Sequence, residues 1–155
     1  MNLTRELSYA AGVEDVHAML CDPAYWDEVA AATGARSSTT TVDGGTVTTD
    51  ELQEVAGVPS FAKKLVGDST RAIKTMAWDG DSAAFSVDTP GKPTSIKGTV
   101  SLAAAGEGTT MTYTLDVRAS VPLISGKLEK LVAELTDAGF DQEYAVGQAW
   151  LRGER

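Results

Sequence analysis

The sequence predicts an α+β fold: a curved antiparallel sheet of about seven strands around one long C-terminal helix, with two short helices after the first strand. Three observations predict it. Residues from about Ala35 to Ala119 read as strands separated by tight turns. The strands follow one another through short connections, which implies a meander. From Val121 to Arg155, the lead-in Val121-Pro122-Leu123-Ile124-Ser125-Gly126 opens one long amphipathic helix. A sheet that finishes in a single long helix tends to wrap around it and enclose a pocket.

Each element has a local reason. Leu3, Arg5, Leu7 and Tyr9 alternate with Asn2, Thr4, Glu6 and Ser8, a strand pattern that Gly12 interrupts. Val13, Val16 and Leu20 recur at helical spacing and give a helix over 13–21. Asp22-Pro23 starts the next helix, with a capping acceptor followed by proline at the first helical position; it runs through Tyr25, Trp26 and Val29 to about Ala32, and Gly34 stops it. Strands near 35–43 and 46–55 flank the turn Asp43-Gly44-Gly45. This hairpin is rich in threonine, which favours strands, yet it offers little to bury. Gly57 to Gly67 breaks the alternation and reads as a loop with one helical turn, Phe61 and Leu65 on its apolar side. Strands near 69–78, 82–89, 95–103 and 109–119 follow, joined at Asp79-Gly80, Pro90-Gly91-Lys92-Pro93 and Gly106-Glu107-Gly108. The last strand is the cleanest: Met111, Tyr113, Leu115, Val117 and Ala119 take one face and polar residues the other.

At 155 residues, 43% apolar and 23% charged, the chain is expected to form one domain, 1–155, that needs neither metal nor disulfide to fold. Cys21 is the only cysteine, so no internal bridge is available and a reducing compartment fits. The net charge of −9, from 13 basic and 22 acidic side chains, disfavours nucleic acid and anionic membrane surfaces as partners. No apolar run approaches the ~20 residues of a membrane span, and the N-terminus lacks the layout of a signal peptide. The expected location is cytoplasmic.

On the final helix, steps of 100° per residue place Ile124, Leu128, Leu131, Leu135, Gly139, Val146 and Ala149 in one sector, with Val132 and Trp150 at its edge. That sector is expected to face the core. Lys130, Glu134, Asp137, Asp141 and Gln148 form a polar sector. Phe140, Tyr144, Gly147 and Leu151 lie roughly opposite the apolar stripe, just after Gly139, a poor helix former. Two readings stand. A bend at Gly139 buries both sets, or Phe140, Tyr144 and Leu151 form an exposed patch through which the chain makes a homodimer.

Catalytic and metal motifs are sparse. His17 is the only histidine and has no carboxylate constellation around it in sequence. One histidine and one cysteine fall short of a zinc set, and Cys21, without a base partner, reads as a spectator thiol. The glycine-rich stretches lie between strands with no helix following to bind phosphate, so no dinucleotide cofactor is expected. Ser60 and Ser125 lack a nucleophile-elbow context. Carboxylates are numerous but fall on solvated faces, and no inward acid–base pair stands out. What remains is the pocket, with candidate lining residues Trp26, Met76, Trp78, Phe85, Tyr113, Leu115, Leu128, Leu131 and Leu135, and Tyr9 and His17 as candidate polar groups. The bland alternative is that these side chains meet and fill a core.

The segment Tyr9 through Trp26, with Asp22-Pro23-Ala24-Tyr25-Trp26 after the first helix, the stretch Val121-Pro122-Leu123-Ile124-Ser125-Gly126-Lys127-Leu128-Glu129 and the terminal Trp150-Leu151 resemble the START-like (SRPBCC) superfamily, with its helix-grip fold. That superfamily includes birch-pollen-allergen-like proteins, polyketide cyclases and lipid-transfer domains. More narrowly, the chain looks like an actinobacterial family known only as a domain of unknown function. Across the whole chain the resemblance implies the helix-grip fold, whose members bind lipids, polyketides, hormones or partner proteins; fold alone does not fix function. The expectation is a non-catalytic module holding a hydrophobic or amphipathic small molecule, lipid- or polyketide-like, in an internal cavity of at least about 300 Å³. A cyclase- or dehydratase-like enzyme and a protein-interaction module are the alternatives.

Overall fold

A computed structural model describes residues 1–55 and 57–155. In chain order the elements are β1 (Asn2–Tyr9), α1 (Val13–Leu20), α2 (Pro23–Ala32), β2 (Ser37–Asp43), β3 (Thr46–Glu54), α3 (Ser60–Val66), β4 (Ser69–Asp79), β5 (Ser82–Asp88), β6 (Thr94–Ala105), β7 (Gly108–Ala119) and α4 (Ser125–Leu151). The seven strands form one antiparallel sheet in the order β1-β7-β6-β5-β4-β3-β2. From β2 to β7 each strand pairs with the next, and β1 returns to pair with β7, Leu7 opposite Met111 and Tyr9 opposite Thr109. This is the α+β helix-grip arrangement expected from the strand pattern and the closing helix.

The local signals act as their chemistry requires. Asp22 Oδ1 accepts a 2.9 Å hydrogen bond from the amide of Ala24, with Pro23 in the first turn of α2. The Ser125 hydroxyl donates to the Val121 carbonyl at 2.6 Å and accepts from the Val121 amide at 3.0 Å, closing the loop that starts α4. Between them Leu123 takes a left-handed backbone, φ 71°, with its side chain fully in solvent. Glycine is needed at Gly98, where β6 passes β7: a Cβ there would sit 2.0 Å from the Thr114 carbonyl oxygen.

The concave face of the sheet carries the core, with Leu7, Val47, Met76, Phe85, Val100, Met111, Tyr113 and Leu115 buried against α1, α2 and α4. Arg5 bonds Asp137 at 2.9 Å and also Asp141, tying edge strand β1 to the middle of α4. A second, smaller cluster joins α3 to the start of α4: Ala62, Ala119 and Leu128, flanked by Phe61, Leu65, Val121, Leu131 and Val132.

The buried face of α4 corrects the expected stripe. Its buried residues are Leu128, Ala133, Phe140, Glu143, Gly147 and Trp150, on one uninterrupted helix that runs through Gly139. At 100° per residue, Phe140, Glu143, Gly147 and Trp150 fill a sector about 80° wide, roughly a quarter turn from the stripe anchored on the leucines. Leu135 is correspondingly 52% exposed and lines nothing. Phe140, read either as buried through a bend at Gly139 or as part of an exposed homodimer patch, is buried at 5% exposure, on a helix that runs unbroken through Gly139. Tyr144 is committed to β1, its hydroxyl donating to the Ser8 carbonyl at 2.8 Å, while Leu151 packs at the core margin. The large rings, which bury more area than leucine, set the phase of the helix.

Candidate functional site

The rotation of α4 brings a carboxyl into the centre of the molecule. Glu143 is 4% exposed and faces the concave sheet. From the middle of β7, the Tyr113 hydroxyl donates a 2.6 Å hydrogen bond to Glu143 Oε2. From α2, the Tyr25 hydroxyl donates to the Glu143 backbone carbonyl at 3.1 Å. Aromatic packing fixes both phenols. Tyr113 stacks on Phe140 at 4.1 Å between ring centroids and meets Phe85 edge-on at 5.5 Å, while Tyr25 stands edge-on to Trp26 at 4.9 Å and Trp150 at 5.7 Å. The Trp26 indole donates in turn to the Leu20 carbonyl at 2.8 Å, which anchors α2 against α1.

Tyr9 completes the phenol set from the last position of β1. Its ring lies directly against Gly147: a Cβ on that glycine would fall 2.8 Å from Tyr9 Cε1 and 3.0 Å from the hydroxyl oxygen. The residue is 3% exposed, and its hydroxyl, close to Tyr25 and Glu143, completes no hydrogen bond. A buried hydroxyl without a partner is costly, about 1–3 kcal/mol in proteins, so its presence asks for a reason.

Lys74 reaches in from β4. Its ammonium lies 3.2 Å above the centroid of the Trp26 ring, a cation–π contact. Among the described residues it forms no ion pair within 4.0 Å. Burial pulls its proton affinity down, and the negative fields of Glu143 and Glu51 push it back up. Burial drives the Glu143 carboxyl above the ordinary range, with the charge of Lys74 and the hydrogen bond from Tyr113 opposing. Burial, followed by the Glu143 charge, raises Tyr9, Tyr25 and Tyr113 well above a free phenol. These phenols are hydrogen-bonding groups at neutral pH.

Trp26, Met76, Phe85, Tyr113, Leu115 and Leu128 are buried as expected of lining residues, and Trp78 and Leu131 are partly so. They do not converge on one point. Leu128 and Leu131 belong to the cluster under α3. His17 does not join Tyr9: it stacks edge-on against Trp78 at 4.9 Å, with Cys21 Sγ 4.0 Å from its Nδ1. It lines a rim hollow of about 240 Å³ with Val13, Glu14, Gly80 and Asp81. A second hollow, about 270 Å³, lies between α1 and the end of α4 and includes Trp150, Leu151 and Arg155. Both fall short of the ~300 Å³ usual for ligand sites, and neither reaches Glu143. Around Glu143 the side chains pack directly on one another, Tyr113 against Phe140 and Tyr25 against Trp26 and Trp150. Among the described residues no cluster of three or more His, Cys, Asp or Glu side chains is placed to hold a metal. No described helix is long and apolar enough to cross a membrane.

Solved structures share the architecture. TTHA0849 from Thermus thermophilus superposes with a TM-score of 0.68 at 18% identity, over 96% of this chain and 94% of that one. The di-domain ARO/CYC StfQ from the steffimycin biosynthetic pathway gives 0.68 at 12% identity, over 96% of this chain and 50% of StfQ. Ara h 8.0201 gives 0.62 at 9% identity, over 95% and 97%. At such identities the likeness is one of fold, the helix grip, and not of activity. No protein with a curated description matches the chain in sequence. The model of the family described as "Protein of unknown function (DUF2505)" matches residues 4–151, and the chain belongs to that family.

Proposed function

We propose that this protein binds a hydrophobic or amphipathic small molecule in the interior between the sheet and α4, without transforming it. The observation that carries the reading is the polar set Tyr9, Tyr25, Tyr113, Glu143 and Lys74, gathered inside an aromatic shell. A core built for stability alone gains little from such groups; replacing buried polar networks with well-packed apolar side chains is often neutral or stabilising. A recognition site needs this composition: apolar walls for contact area and a few convergent polar atoms for orientation. Trp26, Met76, Phe85 and Leu115 supply the walls and the unpartnered Tyr9 hydroxyl is an open point of attachment. Because the side chains meet in this structure, the guest enters by displacing them. The cluster of α3 over the start of α4 is small and separate from the main core, which makes it the proposed place to open.

Native mass spectrometry of protein purified without detergent tests this. The expected spectrum contains a non-covalent small-molecule adduct that denaturation strips off. A bare chain mass, combined with no rise in melting temperature on adding dodecanoate, dodecanol or 2-naphthol, would overturn it.

One observation favours an enzyme of the cyclase or dehydratase class instead. Glu143, with its raised proton affinity and its 2.6 Å bond to Tyr113, has the form of a buried general acid or base. Turnover separates the readings: a co-purified molecule returned to fresh protein comes back unchanged from a binder, and dehydrated or ring-closed from an enzyme.

A further inference from the structure

We infer that the guest of this interior carries an anionic oxygen group, a carboxylate in the first instance, held by the Lys74 ammonium and the Tyr9 hydroxyl. This rests on the binding reading above and specifies the chemistry of its polar end.

Two independent features meet in it. The first is Lys74. It lies on the concave side of β4, in register with Thr49 of β3 and Val87 of β5, and its stem is enclosed. The chain carries nine more acidic than basic side chains, yet among the described residues no carboxylate closes on this ammonium within 4.0 Å. What it touches is the face of Trp26, which stabilises a cation without using up its N–H donors. An ammonium has three such donors, and an aromatic face leaves them for an acceptor. The second feature is Tyr9. Its ring is seated on Gly147, where any larger residue would dislodge it, and its buried hydroxyl lies beside that of Tyr25 but closes no hydrogen bond of ordinary geometry among the described residues. Tyr9 on edge strand β1 packs on Gly147, one helical turn after Glu143, and Lys74 on β4 sits over Trp26, whose neighbour Tyr25 bonds the Glu143 carbonyl. The three groups thus surround one region of the interior. A carboxylate there accepts from Lys74 and from Tyr9, satisfying both donors at once. An alcohol oxygen carries no charge, so its hydrogen bonds to the ammonium and the phenol are weaker than those of a carboxylate.

The source of the carboxylate is either an aliphatic chain or an aromatic ring system, and paired probes separate them. Isothermal titration calorimetry on the full chain would compare dodecanoate with dodecanol and 2-naphthoate with 2-naphthol. We expect the acid of at least one pair to bind about tenfold or more tighter than its alcohol, the scale of one charge-assisted hydrogen bond. The pair that shows it identifies the source. Lys74→Met should abolish the preference while leaving the affinity for the alcohol within about twofold. Tyr9→Phe should reduce it severalfold, with Leu135→Ala, on an exposed side chain of α4, as a control that leaves it unchanged. Equal affinity of acid and alcohol in both pairs would overturn the head-group assignment and leave the binding reading standing. So would a preference that survives Lys74→Met. Failure of all four probes to bind would overturn both. A circular dichroism melt of each variant shows whether a lost preference comes from a folded protein.

Discussion

The Tyr113 hydroxyl and the Glu143 carboxyl are joined by a 2.6 Å hydrogen bond at the buried centre of the molecule, linking the middle of β7 to the third quarter of α4. This contact ties the closing helix to the sheet through a titratable pair, and it makes stability depend on pH in a defined direction. Burial raises the folded-state pKa of Glu143 above its ordinary value near 4.5. A carboxyl raised in this way contributes its full stability at acid pH and loses it as pH climbs from about 4.5 toward the folded value. The limiting slope is about 1.4 kcal/mol per pH unit. Glu143→Gln keeps an acceptor for Tyr113 and removes the titration. The difference in unfolding free energy, variant minus native, should therefore rise with pH across that window and level off above it. Urea denaturation at intervals from pH 4 to 8 would show it, and a difference that stays flat would refute the buried titration.

Gly147 and Tyr9 form a lock of a different kind. A Cβ at 147 would stand 2.8 Å from the Tyr9 ring, so Gly147→Ala must push Tyr9 or lift α4. The expected cost is about 1–3 kcal/mol, the range for overpacking a filled site. Tyr9→Ala vacates the space, so in the double variant the alanine at 147 should cost much less. A double-mutant cycle by chemical denaturation reads this coupling. Strict additivity would show that the two residues do not contend for one space.

Much of the fold was legible because it rests on local chemistry. The Asp22-Pro23 cap, the glycine turns and the alternation of β7 each fix an element through neighbours in sequence. The candidate site was less legible because it rests on the rotation of one helix. Anchoring the stripe of α4 on Leu128, Leu131 and Leu135 turned the helix by about a quarter, which left the burial of Phe140 to a bend at Gly139 and Glu143 unremarked. The signal was present in the 3-4-3 spacing of Phe140, Glu143, Gly147 and Trp150: two large aromatics and a glycine bracket one carboxyl. Weighting rings above leucines would have found it. Lys74 was hidden for another reason. A lysine in a strand reads as solvated, and only the approach of α2 puts the Trp26 ring beneath its ammonium.

Leu123 holds a left-handed backbone, φ 71°, with nothing over its side chain. That conformation costs a non-glycine residue about 1–2 kcal/mol, more than the ~0.5–1 kcal/mol of chain entropy that glycine adds. Leu123→Gly should stabilise the protein by about 0.5–1 kcal/mol, read as a higher denaturation midpoint at unchanged slope. A lower midpoint would contradict the strain assigned to Leu123.

The most direct test of an interior binding site uses the four methionines. Met76 and Met111 are fully buried on the concave sheet, Met19 is buried on α1, and Met1 is exposed. With methyl-labelled methionine, NMR spectra recorded during titration with dodecanoate and with 2-naphthoate should show the Met76 and Met111 methyl signals shifting or broadening to saturation with at least one of them, while Met1 stays fixed. Shifts confined to Met1, or none at saturating probe, would contradict the account.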